Sequence, residues 1–98
     1  MDNLKKQILI VDDDLAILDC IRMSLQKDFP CRITACSDSR EALELLESNI
    51  FNVIISDIGM PNLSGFQLLE YINKLNPNIP VILITGEVDT EKIRSAVQ

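Results

Sequence analysis

The chain has 98 residues, enough for one small domain with one core and too few for two. Hydrophobic residues make up 47% of it and charged residues 24%, the balance of a globular protein and not of a disordered tail. A net charge of −6 without any basic cluster excludes a grip on a phosphate backbone, so no direct nucleic-acid partner is expected.

The N-terminal Met1-Asp2-Asn3-Leu4-Lys5-Lys6 leads into the short apolar run Ile8-Leu9-Ile10-Val11 and then three aspartates, unlike a secretory signal. That run and Val81-Ile82-Leu83-Ile84 are the longest apolar stretches and fall far short of the roughly 20 residues that span a bilayer. No membrane partner and a cytoplasmic location are expected.

In chain order, Gln7 to Val11 reads as the first strand. A helix follows from about Asp14 to Lys27, capped by Asp14, with Ile17, Ile21 and Leu25 recurring every fourth residue and Leu18 widening the stripe. The second strand is about Arg32 to Ala35. Asp38 then caps a helix with Glu41 as its capping-box partner; Ala42, Leu45 and Leu46 face inward, and the helix ends near Ser48-Asn49. Phe51 to Ser56 form the third strand. The loop Asp57-Ile58-Gly59-Met60-Pro61-Asn62 leads to a helix capped by Ser64, whose buried face is Leu68, Leu69, Ile72 and Leu75. Asn76-Pro77 stops it, Pro80 to Ile84 form the fourth strand, and a last helix begins near Asp89 and runs into the chain end. Short apolar strands alternating with helices predict an α/β fold, a doubly wound parallel sheet covered on both faces.

The three cysteines, Cys20, Cys31 and Cys36, lack CxxC spacing, and no histidine is present to complete a zinc site. They read as reduced structural thiols. Without histidine, Ser-His-Asp and Cys-His chemistry is excluded. Carboxylates and hydroxyls must carry any reaction.

Open doubly wound sheets bind ligands beyond the carboxyl ends of their strands. The polar residues there are Asp12 and Asp13 after the first strand, Asp57 after the third and Thr85 after the fourth. Aspartates after strands often serve only as caps or turn formers. Three of them in one crevice are another matter, because each close pair repels by about 4 kcal/mol at an effective dielectric of 20. Such a cluster needs a proton or a cation, and oxygen-only ligands with room for waters and a phosphate favour Mg²⁺.

The segments Ile8-Leu9-Ile10-Val11-Asp12-Asp13-Asp14, Ile54-Ile55-Ser56-Asp57-Ile58-Gly59-Met60-Pro61-Asn62-Leu63-Ser64-Gly65 and Pro80-Val81-Ile82-Leu83-Ile84-Thr85-Gly86 resemble, in order, the three signature blocks of response-regulator receiver domains. The resemblance covers the whole chain. It implies a flavodoxin-like strand order 2-1-3-4 and a switch module rather than an enzyme, with only self-phosphorylation and autodephosphorylation expected. It further implies that Asp57 accepts a phosphoryl group from a sensor histidine kinase or histidine phosphotransfer protein. Asp12, Asp13, Asp57 and the backbone carbonyl of Gly59 would hold Mg²⁺, and the Thr85 hydroxyl would hydrogen-bond the phosphoryl group. Gly86 leaves room for the donor, Met60 and Pro61 shape the loop, and Gly65 admits close backbone packing. Gly59 and Glu87 occupy the positions that set phosphoryl lifetime; Glu87 reads as a solvated surface acid.

A complete receiver continues through a fifth strand and helix, so residues 1–98 are expected to be a receiver domain without its fifth β/α unit, its lysine or its output domain. The missing fifth strand leaves the fourth as an apolar edge, which predicts a homodimer or an exchanged assembly. Two other readings use the same residues: a non-phosphorylated interaction module, and a Mg²⁺-dependent phosphohydrolase in which Asp12 and Asp14 form a DxD motif.

Overall fold

A computed structural model of the chain describes residues 5–60 and 63–84. In chain order the elements are β1 (Lys6–Val11), α1 (Leu15–Asp28), β2 (Cys31–Cys36), α2 (Ser39–Ser48), β3 (Val53–Asp57), α3 (Gly65–Leu75) and β4 (Val81–Ile84). The strands are all parallel, in the order β2-β1-β3-β4. This is the doubly wound sheet that the alternation of elements predicts.

Successive side chains of a strand point to opposite faces, and here each face has its own core. Ile8, Ile10, Val53, Ile55 and Ile84 pack with Leu18, Ile21 and Leu25 of α1. Leu9, Val11 and Ile54 pack with Ala42 of α2 and with Leu68 and Ile72 of α3. The central strands are therefore buried on both sides, which is why they read as unbroken apolar runs instead of alternating ones.

Local chemistry sets the element ends. The Asp14 carboxylate accepts hydrogen bonds from the amides of Ala16 and Ile17 and caps α1 as expected. Asp38 caps α2 through the amide of Arg40 at 2.9 Å, one residue short of the Glu41 amide that the predicted capping box requires. A full box forms on α3 instead: the Ser64 hydroxyl accepts from the Gln67 amide, and the Gln67 side chain accepts from the Ser64 amide. A cap of this kind contributes about 1 kcal/mol.

β3 starts at Val53 and not at Phe51. Ahead of it, Asn52 bridges to β1 with its side chain, Oδ1 accepting from the Gln7 amide at 2.7 Å while its own amide donates to the Gln7 carbonyl. Leu75, expected in the buried face of α3, is 51% exposed. It is the last residue of the helix, beyond the turn that Leu68 and Ile72 press onto the sheet. The helix expected from Asp89 lies outside the described residues.

Candidate functional site

The register positions the site. Val11 of β1 is paired with Ser56 of β3, so the next residue on each strand, Asp12 and Asp57, leaves the sheet side by side. Asp13 follows in the β1–α1 loop. Ligand oxygens of Asp12, Asp13 and Asp57 all lie within 4.8 Å of one another. The sequence expectation of three converging carboxylates holds in the structure.

The three differ in environment. Asp13 is exposed and Asp57 half-buried, whereas Asp12 is 1% exposed. One Asp12 oxygen, Oδ1, accepts a hydrogen bond from the Asp14 amide at 2.9 Å. The other, Oδ2, is buried and has no hydrogen-bond partner. Burial pushes the Asp12 carboxyl up to about 6; the Asp14 amide opposes this, and the nearby charges of Asp57, Asp13 and Asp14 add to it. A buried carboxylate with one unpaired oxygen, clustered with two further carboxylates, is costly without a counter-charge.

The backbone around Asp57 is tightly held. Its Oδ1 accepts from the Gly59 amide at 3.2 Å, which restricts rotation of the carboxylate. The buried Ser56 hydroxyl donates to the Asp57 carbonyl at 3.1 Å, and the Ile58 amide donates to the Ile84 carbonyl of β4 at 3.0 Å. The Gly65 amide returns to the Ile58 carbonyl at 3.0 Å. A Cβ at Gly65 would stand 2.5 Å from the Asp57 carbonyl oxygen and 2.9 Å from the Ile58 Cα. Only glycine lets the start of α3 approach the acidic loop this closely, as the sequence reading expects. Gly59 meets nothing within 4 Å of an added Cβ, so its side is open to solvent.

Thr85, Gly86, Glu87 and Pro61 lie outside the described residues. Two contributors escaped the sequence reading. Ser56 reads as part of an apolar strand, with no signal for its bond to the neighbouring carbonyl. The Asp14 amide is legible only in retrospect, because an aspartate commonly accepts from the amide two residues on. Burial pushes the Cys31 and Cys36 thiols up, and Cys36 Sγ donates to the Asp38 carbonyl at 2.9 Å. Both thiols are thereby held in the unreactive protonated form.

Comparison with known proteins agrees with this geometry. The response regulator receiver domain family matches residues 8–98. The two-component response regulator ORR26 of Oryza sativa subsp. japonica is 36% identical over 94 residues, covering 94% of this chain and 16% of that protein. Among solved structures, a CheY-like response regulator receiver domain protein from Methanospirillum hungatei JF-1 is 35% identical with a TM-score of 0.79, covering 95% of this chain and 74% of that one. The chemotaxis response regulator CheY4 of Vibrio cholerae is 30% identical with a TM-score of 0.78, covering 90% of this chain and 74% of that one. With this family match, the parallel sheet with carboxylates at its strand ends is that of a signalling module of the two-component class. The chain belongs to the receiver-domain family of two-component response regulators, whose general function is to accept a phosphoryl group. It spans only 16% of the length of ORR26 and 18% of that of the Arabidopsis thaliana relative ARR11.

Receiver domains typically bind Mg²⁺ at an acidic pocket, and the residues here fit that ion. The donors are all oxygens, which select a hard cation. The partnerless Asp12 Oδ2 is an acceptor without a donor, as a metal ligand would be in the ion's absence.

Proposed function

We propose that Asp57 is the phosphoryl acceptor of this receiver and that Asp12, Asp13, Asp57 and the Gly59 carbonyl hold Mg²⁺. The observation that carries the reading is the orphaned, buried Asp12 Oδ2 beside two further carboxylates. When bound, the ion supplies positive charge against the carboxylates and the incoming phosphoryl oxygens. The chain supplies the rest. The Gly59 amide orients the Asp57 carboxylate, an oxygen of which attacks the phosphorus of a phosphohistidine on a sensor kinase or phosphotransfer protein. The new O–P bond makes an acyl phosphate as the N–P bond breaks, and the imidazole takes back the electron pair. The Thr85 hydroxyl donates to a phosphoryl oxygen. On this reading the domain is a switch and turns over no separate substrate.

The phosphohydrolase reading needs Asp14 as the second member of a DxD pair. Its Oδ1 is already engaged with the first amides of α1, which favours the receiver reading. Among the described residues no helix is long and apolar enough to cross a membrane; a cytoplasmic site of action belongs to the same proposal.

β4 is the edge of the sheet among the described strands. Residues 1–98 read as the first four β/α units of a receiver, with a fifth strand belonging along that edge and an output domain or effector reading the switch.

The central test is labelling. Acetyl phosphate with Mg²⁺ should add one phosphoryl group, located on Asp57 by mass spectrometry and lost in Asp57→Asn. Phosphate on a serine or on Asp38 instead would sink the mechanism.

A further inference from the structure

At the end of the sheet opposite the carboxylates, the last turns of α2 and α3 border a groove of about 310 Å³ lined by Leu46, Glu47, Ile50, Ile72, Leu75 and Ile79. That size lies near the low end for ligand sites, roughly 300 Å³, and fits one large side chain with part of its neighbour. Ile72 is buried, while Ile50 is 82% exposed and Leu75 51%. Single exposed apolar residues need no explanation. Two that converge on one concavity mark a contact surface.

Among the residues that line the groove, Glu47 alone is charged. α2 ends here with Glu47 in its last turn and no basic residue to offset it. α3 ends here as well, at Leu75, so the partially negative carbonyl ends of two helices border one groove. Lys74, the basic residue in the last turn of α3, does not line it. Glu47 accepts a hydrogen bond from the Tyr71 hydroxyl at 3.0 Å, which uses one of a carboxylate's several acceptor positions and leaves its charge in place. A second copy of the chain docked about a twofold axis would bring this negative rim against its own image.

We propose that the groove docks a basic amphipathic segment of a partner protein, with a large apolar side chain seated between Ile50 and Leu75 and a Lys or Arg against Glu47 and the carbonyl end of α2. The surface is at the far end of the sheet from Asp57. Its failure would therefore leave the phosphoryl reading untouched, and loss of phosphorylation would leave this binding intact.

The test uses ¹⁵N-labelled protein and two 12-residue capped peptides, each with Leu on one helical face and either Arg or Glu on the other. The Arg peptide should shift the amide signals of Leu46, Ile50, Leu75 and Ile79, and added salt should weaken it. Ile50→Asp should abolish the shifts while the remaining spectrum stays unchanged. Glu47→Gln, which keeps an acceptor for Tyr71, should weaken binding about threefold, as expected for one solvent-exposed ion pair. Equal binding of the Glu peptide overturns the proposal, as do shifts confined to the Asp12–Asp57 end or no shifts at all. Groove signals that move with protein concentration alone would assign the surface to a second copy and overturn it too.

Discussion

The two ends of this sheet fail ordinary burial rules in opposite directions. At the carboxyl end of the strands, Asp12 is almost wholly buried with one oxygen unpartnered, and the backbone is packed so closely that a methyl group at Gly65 would strike it. At the other end, Ile50 and Leu75 lie open to solvent over a groove. Charge is dry at one end and hydrocarbon is wet at the other. Neither arrangement favours stability, so each points to something that is gained when a ligand or partner arrives. The carboxyl end is closely packed beside its three carboxylates, whereas the opposite end leaves surface over. Substitutions at the first end should move stability and ligand affinity strongly, and those at the second should move stability very little.

Among the residues that set the two ends apart, the largest effect is expected at Gly65. Gly65→Ala places a Cβ against backbone atoms of Asp57 and Ile58, which cannot yield as a flexible side chain could. We expect a loss of about 2–3 kcal/mol in urea unfolding, at the upper end of overpacking costs, together with weaker Mg²⁺ binding because the acidic loop is displaced. A change under about 0.5 kcal/mol would mean that α3 is not held against the loop as described.

Asp12 comes next, with the opposite sign. Its carboxyl is raised from the ordinary 3.8 to about 6, mainly by burial. The folded chain therefore holds this proton more tightly than the unfolded chain does. The resulting stabilisation is complete below about pH 4 and is lost as pH rises to about 6, in total on the order of 2–3 kcal/mol without a divalent ion. Asp12→Asn should remove that pH dependence and stabilise the metal-free protein at pH 7. It should also weaken Mg²⁺ binding at least about tenfold, since a charged ligand is lost. Mg²⁺ affinity of the unaltered protein should fall between pH 7 and pH 5 as protons compete for Asp12. Calorimetry on both proteins decides; an Asn variant that is less stable yet binds Mg²⁺ normally would contradict the ion site.

Ser64→Ala should cost about 1 kcal/mol, because the hydroxyl satisfies the Gln67 amide and the variant leaves that donor to water. Asp38→Ala should cost no more, since Asp38 caps with a single bond to Arg40. A cost at Asp38 well above that at Ser64 would show that the Glu41 capping box forms in solution after all.

Much of this was legible in the sequence because the signals are periodic or chemical. Short apolar runs such as Ile8 to Val11, bounded by turn residues and alternating with helical periods, read as strands buried on both faces, and the aspartates directly after them fall where such sheets bind ligands. The strand order and the acceptor role of Asp57 came from the resemblance to receivers and not from periodicity. What could not be read was set by geometry in three dimensions. The partnerless state of Asp12 Oδ2 depends on which amides happen to face it. Leu75 has the spacing of a buried residue, yet helix α3 ends as it leaves the sheet. The groove at Ile50 exists only because α2 and α3 stop together at that end, a fact no single segment encodes.

The smallest effect is expected at Ile50, and its smallness is the point. An isoleucine that is 82% exposed gains little from folding, so Ile50→Ser should leave urea stability within about 0.5 kcal/mol of the unaltered protein. At Ile54, buried on the neighbouring strand, the corresponding loss in Ile54→Ala should be about 2–5 kcal/mol. The same residue type, buried at one position and exposed at the other, thus separates packing from available surface. Overlaid unfolding curves for Ile50→Ser and the parent leave the groove free for a partner. A loss above about 1 kcal/mol, equal to burying roughly 40 Å² of apolar surface, would instead make Ile50 part of the core of this chain and close the groove as a contact surface.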